Sequence, residues 1–160
     1  MRAFSLILSG MILVIFWGCE VRSPIQIGAR FPQIALENLE GKPLVPFGGK
    51  ALVVRFWQSH CASCVREMPF LDKLYEKHYQ KLDIIAINVG EPKETLLSFA
   101  QKHKLHHELI ADEEQKLSKT FGIVAIPTTL FVNRAGIITD IIYGESSPLE
   151  LEKRLQNIIN

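Results

Sequence analysis

Alternating strand and helix patterns constrain the fold of this chain more than any other feature. The apolar run at 51–57 predicts a buried strand, and apolar side chains recur at helical spacing over 62–80. The segment 83–89 predicts a second buried strand, and 92–104 predicts a second amphipathic helix. Because parallel strands need long crossover connections, this β-α-β-α order predicts an α/β domain whose parallel strands are covered by helices.

The second half of the chain predicts two more helices and an antiparallel pair of strands. A short strand near 108–111 precedes a helix over 112–121, for which Asp112 is the expected cap. The segments 128–133 and 137–143 predict two strands joined by a short turn, so we expect them to pair antiparallel.

The last helix is the most clearly marked element. Ser147 and Glu150 form the S-x-x-E pattern of a capping box, and Pro148 occupies the first helical position. Its predicted apolar contacts are Leu149, Leu151, Leu155 and Ile158. Together with a hairpin predicted at 32–46, the chain is expected to form a central mixed sheet with helices on both faces.

The first 19 residues have the pattern of an export signal. Arg2 precedes an apolar run that is shorter than the roughly 20 residues needed to span a bilayer. A small residue before Cys19 resembles a bacterial lipoprotein signal, so we expect lipid attachment at Cys19; an uncleaved signal anchor is the alternative. The predicted organisation is an anchor at 1–19, a linker at 20–30 and a domain at 31–160, facing the periplasmic side of a membrane.

Length and charge limit the partners of the chain. Its 160 residues fit one domain of ordinary size, and we expect a monomer. The formal net charge is +1 and no run of like charges occurs. A nucleic-acid partner would need a basic patch, so nucleic acid is not expected among the partners.

The chemistry is predicted at Cys61 and Cys64, which form Cys-x-x-Cys where the 51–57 strand gives way to a helix. Backbone N–H groups and the helix dipole at such a position stabilise a thiolate, which is the nucleophile of disulfide exchange. Cys61 is therefore predicted to attack, and Cys64, one turn deeper, to resolve the mixed disulfide.

Two other interpretations of the cysteine pair carry less weight. Zinc would need two further ligands, and the five histidines show no matching paired motif, so neither a metal nor another cofactor is expected. A purely structural disulfide would close a very short loop and would remove little entropy from the unfolded chain.

Three segments in the same order resemble a known family. FWQSHCASCVREMP resembles the active-site segment of the thioredoxin superfamily, specifically its extracytoplasmic, membrane-tethered thiol:disulfide oxidoreductases of the TlpA/ResA type. GIVAIPTTLFVNRAG resembles the cis-proline loop and hairpin of these proteins, and IGARFPQIALENLEGKPL resembles their N-terminal hairpin. The resemblance covers roughly 27–159 and implies a thioredoxin-like fold with an added N-terminal β-hairpin.

The resemblance also implies roles for individual residues. Cys61 and Cys64 would form a redox-active disulfide, and Pro127 would be the cis-proline. The backbone of Ile126 would hold an extended substrate strand by main-chain hydrogen bonds. Trp57 matches the aromatic residue before the active-site turn and is expected to pack beside that turn and to contribute to substrate binding.

Three residues near the predicted site carry charge or can acquire it. Glu91 resembles a carboxylate that cytochrome c maturation reductases place near the dithiol, where it raises a thiol pKa or shuttles a proton; alternatively, it only begins a helix. Arg55 interrupts an apolar strand, and because an unpaired buried charge is costly we expect it to pair with Glu91. His60 either adds positive charge near Cys61 or is a partly exposed packing residue.

The function implied by the resemblance is a tethered oxidoreductase that reduces disulfides in exported proteins. Apocytochrome c is the best single substrate, and a membrane electron donor would regenerate the dithiol. A disulfide oxidase or isomerase would use the same residues. A Sco-type copper metallochaperone is another alternative, although such proteins space their cysteines Cys-x-x-x-Cys and add a distal histidine; a peroxidase is the third.

Overall fold

The computed structural model describes residues 25–45 and 48–160. The predicted signal or anchor at 1–19, including Cys19, lies outside these residues, and so does the first part of the predicted linker. The helices within the two described ranges lack the combination of length and apolar character needed to cross a membrane.

The described chain forms a five-stranded mixed sheet and a separate two-stranded hairpin. In chain order the elements are β1 (Leu36–Glu37), β2 (Pro43–Leu44), β3 (Ala51–Trp57), α1 (Ala62–His78), β4 (Leu82–Val89), α2 (Lys93–His103), β5 (Glu108–Asp112), α3 (Lys116–Thr120), β6 (Thr128–Val132), β7 (Ile138–Tyr143) and α4 (Pro148–Ile159). The order in the large sheet is β5-β4-β3-β6-β7, in which β3 runs parallel to β4 and antiparallel to β6. This is the predicted mixed sheet with its extra N-terminal hairpin.

Strand β3 is the centre of the domain and is buried along its whole length. On one face of the sheet, side chains of α1, α2 and α4 join the strands in a single apolar cluster. On the other face, Phe121 packs against Phe56 and Phe31, with ring centroids 5.4 and 5.2 Å apart. Helices therefore cover both faces, as the sequence predicts, and the carboxyl ends of β3 and β4 lie side by side.

The segment at 25–30, predicted as part of a linker, packs against the sheet. Ile25 is buried, and the backbone N–H of Gly28 donates to the carbonyl of Ile138 at 2.8 Å. Arg30 forms an isolated antiparallel bridge with Ile137. The packed part of the chain thus begins at least six residues before the predicted domain boundary at 31.

Helix α3 is shorter than the predicted helix over 112–121. Its cap is Gln115, whose φ of 57° places it in the left-handed region. Asp112 still satisfies the start of the helix, because its carboxylate accepts hydrogen bonds from the backbone N–H groups of Leu117 and Ser118 at 2.9 and 2.7 Å. The prediction that Asp112 is the cap residue is therefore wrong, although its carboxylate satisfies the helix start from the end of β5.

Helix α4 begins where the sequence predicts. The hydroxyl of Ser147 accepts a hydrogen bond from the backbone N–H of Glu150 at 3.2 Å. The predicted apolar contact of Leu149 is wrong, since this side chain is 77% exposed. Successive helical residues are rotated by about 100°, so Leu149 points away from the face on which Leu151 and Leu155 are buried.

Candidate active site

The two cysteines lie at the start of α1 and differ in their exposure. Cys61 is the N-cap of the helix, and its sulfur accepts a hydrogen bond from the backbone N–H of Cys64 at 3.3 Å. The two are joined as a disulfide, with their Cα atoms 5.2 Å apart. Cys61 is partly exposed, whereas Cys64 is fully buried. Of this pair, Cys61 alone is therefore accessible to a partner disulfide.

The turn between β3 and α1 is tied to the end of the neighbouring strand β4. The side-chain amide of Gln58 donates to the carbonyl of Val89 at 2.8 Å. The backbone N–H of Ser59 donates to the carboxylate of Glu91 at 2.6 Å, and the Ser59 hydroxyl donates to the same group. The backbone N–H of Cys61 then closes the turn by donating to the carbonyl of Gln58 at 3.2 Å.

Glu91 is a hydrogen-bonded carboxylate near this turn. Besides Ser59, the side-chain amide of Asn88 donates to it. Burial raises the pKa of Glu91, but the hydrogen bonds from Ser59 and Asn88 outweigh this effect and hold the pKa below its ordinary value. Gly90 allows the chain to turn here, because its φ is +81° and a Cβ would lie 2.8 Å from Nε2 of Gln115.

His60 extends into solvent next to Cys61. Its side chain is 70% exposed, so little of it packs against the protein, and its Nδ1 lies 3.5 Å from Oε1 of Glu91. Once protonated, the imidazole forms an ion pair with that carboxylate. The contact supports the charge interpretation of His60 more than the packing interpretation.

The predicted ion pair between Arg55 and Glu91 is wrong. Arg55 is fully buried, but its Nη2 donates to Oε2 of Glu67 in α1 at 2.7 Å. Side chains alternate along a strand, and Arg55 shares the α1 face of β3 with Val53 and Trp57. Glu91 instead lies beyond the end of β4, where it binds Ser59. The need for a buried carboxylate was predicted correctly, but its identity was not.

The loop before β6 brings Ile126 and Pro127 to the same end of the sheet. The Ile126–Pro127 peptide bond is cis, the geometry that the resemblance implies. Thr128 is paired with Phe56, so this loop adjoins the carboxyl end of β3. Ile126 is partly exposed and packs against the apolar cluster that contains Cys64. Pro127 is buried.

Trp57 ends β3 directly before the active-site turn and packs in the apolar cluster that contains Cys64. It is fully buried, and its ring centroid lies 4.7 Å from that of Phe99 in α2. The structure therefore gives Trp57 the predicted packing position, but a side chain without exposed surface is not available for the predicted contact with substrate.

A second group of titratable side chains lies where the second half of α1 meets the segment before β5. Asp72 accepts hydrogen bonds from the backbone N–H groups and the Nδ1 atoms of His106 and His107. Burial raises the pKa of Asp72, but the bonds from His107 and His106 outweigh this effect and hold it well below its usual range. His106 Nδ1 also lies 3.2 Å from Glu76, and the hydrogen bond to Asp72 raises the pKa of His106. Asp72, Glu76 and His106 each offer one ligand atom for a cation, but their contacts already form ion pairs.

The site contains one residue that sequence reasoning missed, Glu67. It follows Cys64 by three residues and precedes Met68, so it belongs to the stripe of α1 that faces the core. A charged residue inside an apolar stripe is the signal that would have identified it as the partner of Arg55.

The fold and the dithiol define a thioredoxin-like thiol:disulfide oxidoreductase. The comparisons agree with this class: residues 27–141 match the AhpC/TSA family. The chain is 31% identical over 141 residues to the thiol-disulfide oxidoreductase ResA of Geobacillus thermodenitrificans, covering 86% of this chain and 80% of that protein. It is 32% identical over 140 residues to ResA of Halalkalibacterium halodurans, with the same coverage.

Solved structures resemble the fold. StoA from Bacillus subtilis superimposes with a TM-score of 0.66 at 23% identity, covering 76% of this chain and 94% of that chain. A thiol:disulfide interchange protein of the thioredoxin family from Chlorobium tepidum superimposes with a TM-score of 0.72 at 18% identity, covering 79% and 93%. The chain belongs to the AhpC/TSA family of the thioredoxin superfamily and, within it, to the thiol-disulfide oxidoreductases of the ResA type.

Proposed function

We propose that this protein reduces disulfide bonds in exported proteins on the periplasmic side of a bacterial membrane. The observation that carries the proposal is the accessible Cys61 above the buried Cys64 at the start of α1. Exchange requires one sulfur that a partner can reach and a second that can act only on the first. The direction of electron flow is inferred from the family resemblance alone.

In the proposed reaction, the Cys61 thiolate attacks one sulfur of the target disulfide. A bond forms between Cys61 and that sulfur, and the other target sulfur leaves as a thiolate. The Cys64 thiolate then attacks the sulfur of Cys61, which releases the reduced target and forms the Cys61–Cys64 disulfide present in the structure. Two electrons from a membrane donor restore the dithiol.

We propose that Glu91 acts through its charge and its hold on the turn. A proton shuttle works best when its pKa lies near the operating pH, whereas hydrogen bonds hold the pKa of Glu91 below its ordinary value. An ionised carboxylate near the dithiol opposes thiolate formation, whereas a positive charge on His60 beside it would offset that effect.

Substrate is proposed to bind as an extended strand beside Pro127. The partly exposed Ile126 would supply the main-chain hydrogen bonds, which read little side-chain information. Such a mode suits flexible substrates that bring a disulfide to Cys61, and apocytochrome c with its C-x-x-C-H segment is the substrate that we favour. The anchor at 1–19, with lipid on Cys19, would keep the domain beside its electron donor.

A redox titration of the full chain against glutathione or dithiothreitol tests the direction. A reductase requires a potential well below that of DsbA, which is about −120 mV. A potential near the DsbA value would overturn the assignment and would support the oxidase alternative.

Trapping of the intermediate tests the substrate class. The Cys64→Ser variant is expected to accumulate a mixed disulfide with an oxidised C-x-x-C-H peptide, because the resolving thiol is absent. The matched Cys61→Ser variant is expected to form far less of this adduct, since Cys64, the other cysteine of the pair, is buried. Stoichiometric binding of Cu(I) by wild type, together with failure to reduce insulin, would support the copper metallochaperone instead.

A further inference from the structure

The end of the domain opposite the dithiol combines exposed cations with exposed apolar side chains. At this end β3 and β4 begin and α1 and β6 end, whereas Cys61 lies at the start of α1. The 17 residues of α1 separate the two ends by about 25 Å. We call this surface the basal face and define it by five exposed residues: Ile27, Arg30, Tyr79, Lys81 and Arg134.

Hydrogen bonds join the segments that form the basal face. The guanidinium of Arg30 donates to the carbonyl of Ala135 at 3.1 Å, which links the N-terminal segment to the turn between β6 and β7. Arg134 in that turn donates to the carbonyl of Ile159 at the end of α4, at 2.6 Å. Ile159 in turn borders a shallow depression together with residues 77–81. The basal face is therefore one continuous surface.

The three cations of the basal face form no ion pair with the described residues. Two carboxylates lie towards the same end, but both already have partners. Asp83 is paired with Lys50 at 2.9 Å, and Glu152 is paired with Lys77 at 2.8 Å. The basal face therefore presents positive charge to the solvent.

The composition of the basal face is that of a surface in contact with lipid. Ile27 is 64% exposed and Tyr79 is 54% exposed, so an aliphatic side chain and an aromatic ring project beside the cations. Lysine and arginine are attracted to anionic headgroups, and tyrosine rings are enriched at the level of the headgroups. A purely electrostatic contact with an acidic protein would not require the apolar groups.

The position of the predicted anchor brings a bilayer close to this face. Six residues lead from Cys19 to Ile25, and such a chain spans at most roughly 20 Å. With an anchor that ends at Cys19, Ile25 therefore lies within that distance of the headgroups. Ile27 and Arg30 follow directly in the chain. A lipid surface is thus the partner that the geometry favours.

We propose that the basal face docks on anionic lipid headgroups and thereby turns the dithiol away from the membrane, towards exported proteins. Each lysine or arginine near an anionic surface strengthens the attraction by roughly fivefold, so three cations favour the docked orientation by about 100-fold. The inference rests on the anchor of the proposed function but not on its redox chemistry. Because the contact is electrostatic and reversible, the domain can also leave the surface to meet a membrane donor.

Energy transfer from tryptophan to dansyl-labelled headgroups measures the orientation. Two exposed tyrosines mark the two ends of the domain: Tyr79 on the basal face and Tyr143, which pairs with Thr128 beside the Pro127 loop. Each is replaced singly by tryptophan in the full chain, which is reconstituted into vesicles of phosphatidylcholine and phosphatidylglycerol. After subtraction of the wild-type signal, Tyr79→Trp is expected to show the higher transfer efficiency.

Removal of charge tests the cause of the orientation. One triple variant in each tryptophan background neutralises the basal face: Arg30→Gln, Lys81→Gln and Arg134→Gln. The difference in transfer between the two tryptophan positions is expected to disappear in this variant, in vesicles of phosphatidylcholine alone, and at about 1 M salt, where the Debye length falls to about 3 Å. A matched control triple variant removes three lysines that lie outside the basal face and should keep the difference: Lys93→Gln, Lys119→Gln and Lys153→Gln.

The outcomes separate this proposal from the proposed function. Equal transfer from the two positions in anionic vesicles, or a difference that survives the basal triple variant, would overturn the docking proposal. A full chain that does not associate with vesicles would refute the anchor and the docking together. Reduction of insulin in solution does not depend on the basal face, so the basal triple variant should retain the wild-type rate whichever result the transfer experiment gives.

Discussion

Replacement of Arg55 by methionine should cost a large part of the stability of the domain. Methionine retains the unbranched stem, so the apolar contacts of the side chain are largely preserved. The charge and its hydrogen bonds to Glu67 and Thr129 are lost. Glu67 then remains as a buried carboxylate whose remaining donors among the described residues are the N–H and hydroxyl of Ser146.

The magnitude follows from the burial of the pair. Removal of one partner of a buried ion pair costs about 3–5 kcal/mol. Because Ser146 still donates to Glu67, the lower end applies, and we expect a loss of about 3 kcal/mol. For a domain of this size that corresponds to a fall of roughly 10 °C in melting temperature.

The assay is urea unfolding of the purified full chain with its disulfide intact, followed by circular dichroism. Arg66→Met is the control, since Arg66 pairs with Glu145 at 2.8 Å, nearly the same length, but both side chains are exposed. This variant should cost less than about 1 kcal/mol. If the free energy of unfolding of Arg55→Met lies within about 0.5 kcal/mol of the wild-type value, the range usual for surface positions, the reasoning is refuted. A buried ion pair cannot be broken without a larger cost.

Three further changes test other parts of the structure. Because the pKa of Asp72 is lowered in the folded protein, its carboxylate stabilises the fold above the ordinary aspartate pKa of about 4, and this stability is lost as the pH falls below that value. Asp72→Asn should therefore lower the stability at neutral pH. In a plot of the urea midpoint against pH, this variant should show a smaller fall at acid pH than wild type. Glu91→Gln should cost about 1–3 kcal/mol, because the amide keeps one acceptor oxygen for the three donors that bind the carboxylate. It should also shift alkylation of Cys61 to lower pH, and an unchanged profile would contradict the charge role. Ser147→Ala should cost about 0.5–2 kcal/mol in thermal unfolding through loss of the cap.

Local patterns explain why most of the fold was predictable. Apart from Arg55, the strand before Cys61 is an apolar run because it is buried on both faces, and such runs are visible in the sequence. The start of α4 was predicted because a serine cap followed by proline has a local physical cause. The exposure of Leu149 was missed because the apolar list ignored its angular position on the helix.

Pairing across the fold was less predictable. Burial of Arg55 implies a carboxylate partner, but several acidic residues satisfy that requirement equally well in the sequence. The choice between Glu67 and Glu91 depends on which face of β3 the guanidinium occupies and how far α1 extends over it. Those are tertiary relations that no local pattern records.

The hydrogen bonds from Gln58 and Ser59 to the end of β4 have a consequence for the rate of exchange. Holding one residue in a single backbone conformation costs about 1–2 kcal/mol, and in this turn that ordering accompanies folding. A partner disulfide therefore meets Cys61 on a turn that is already rigid. Encounter and the chemistry of sulfur should limit turnover, rather than rearrangement of the loop, and the amide hydrogen of Ser59 should exchange slowly with solvent.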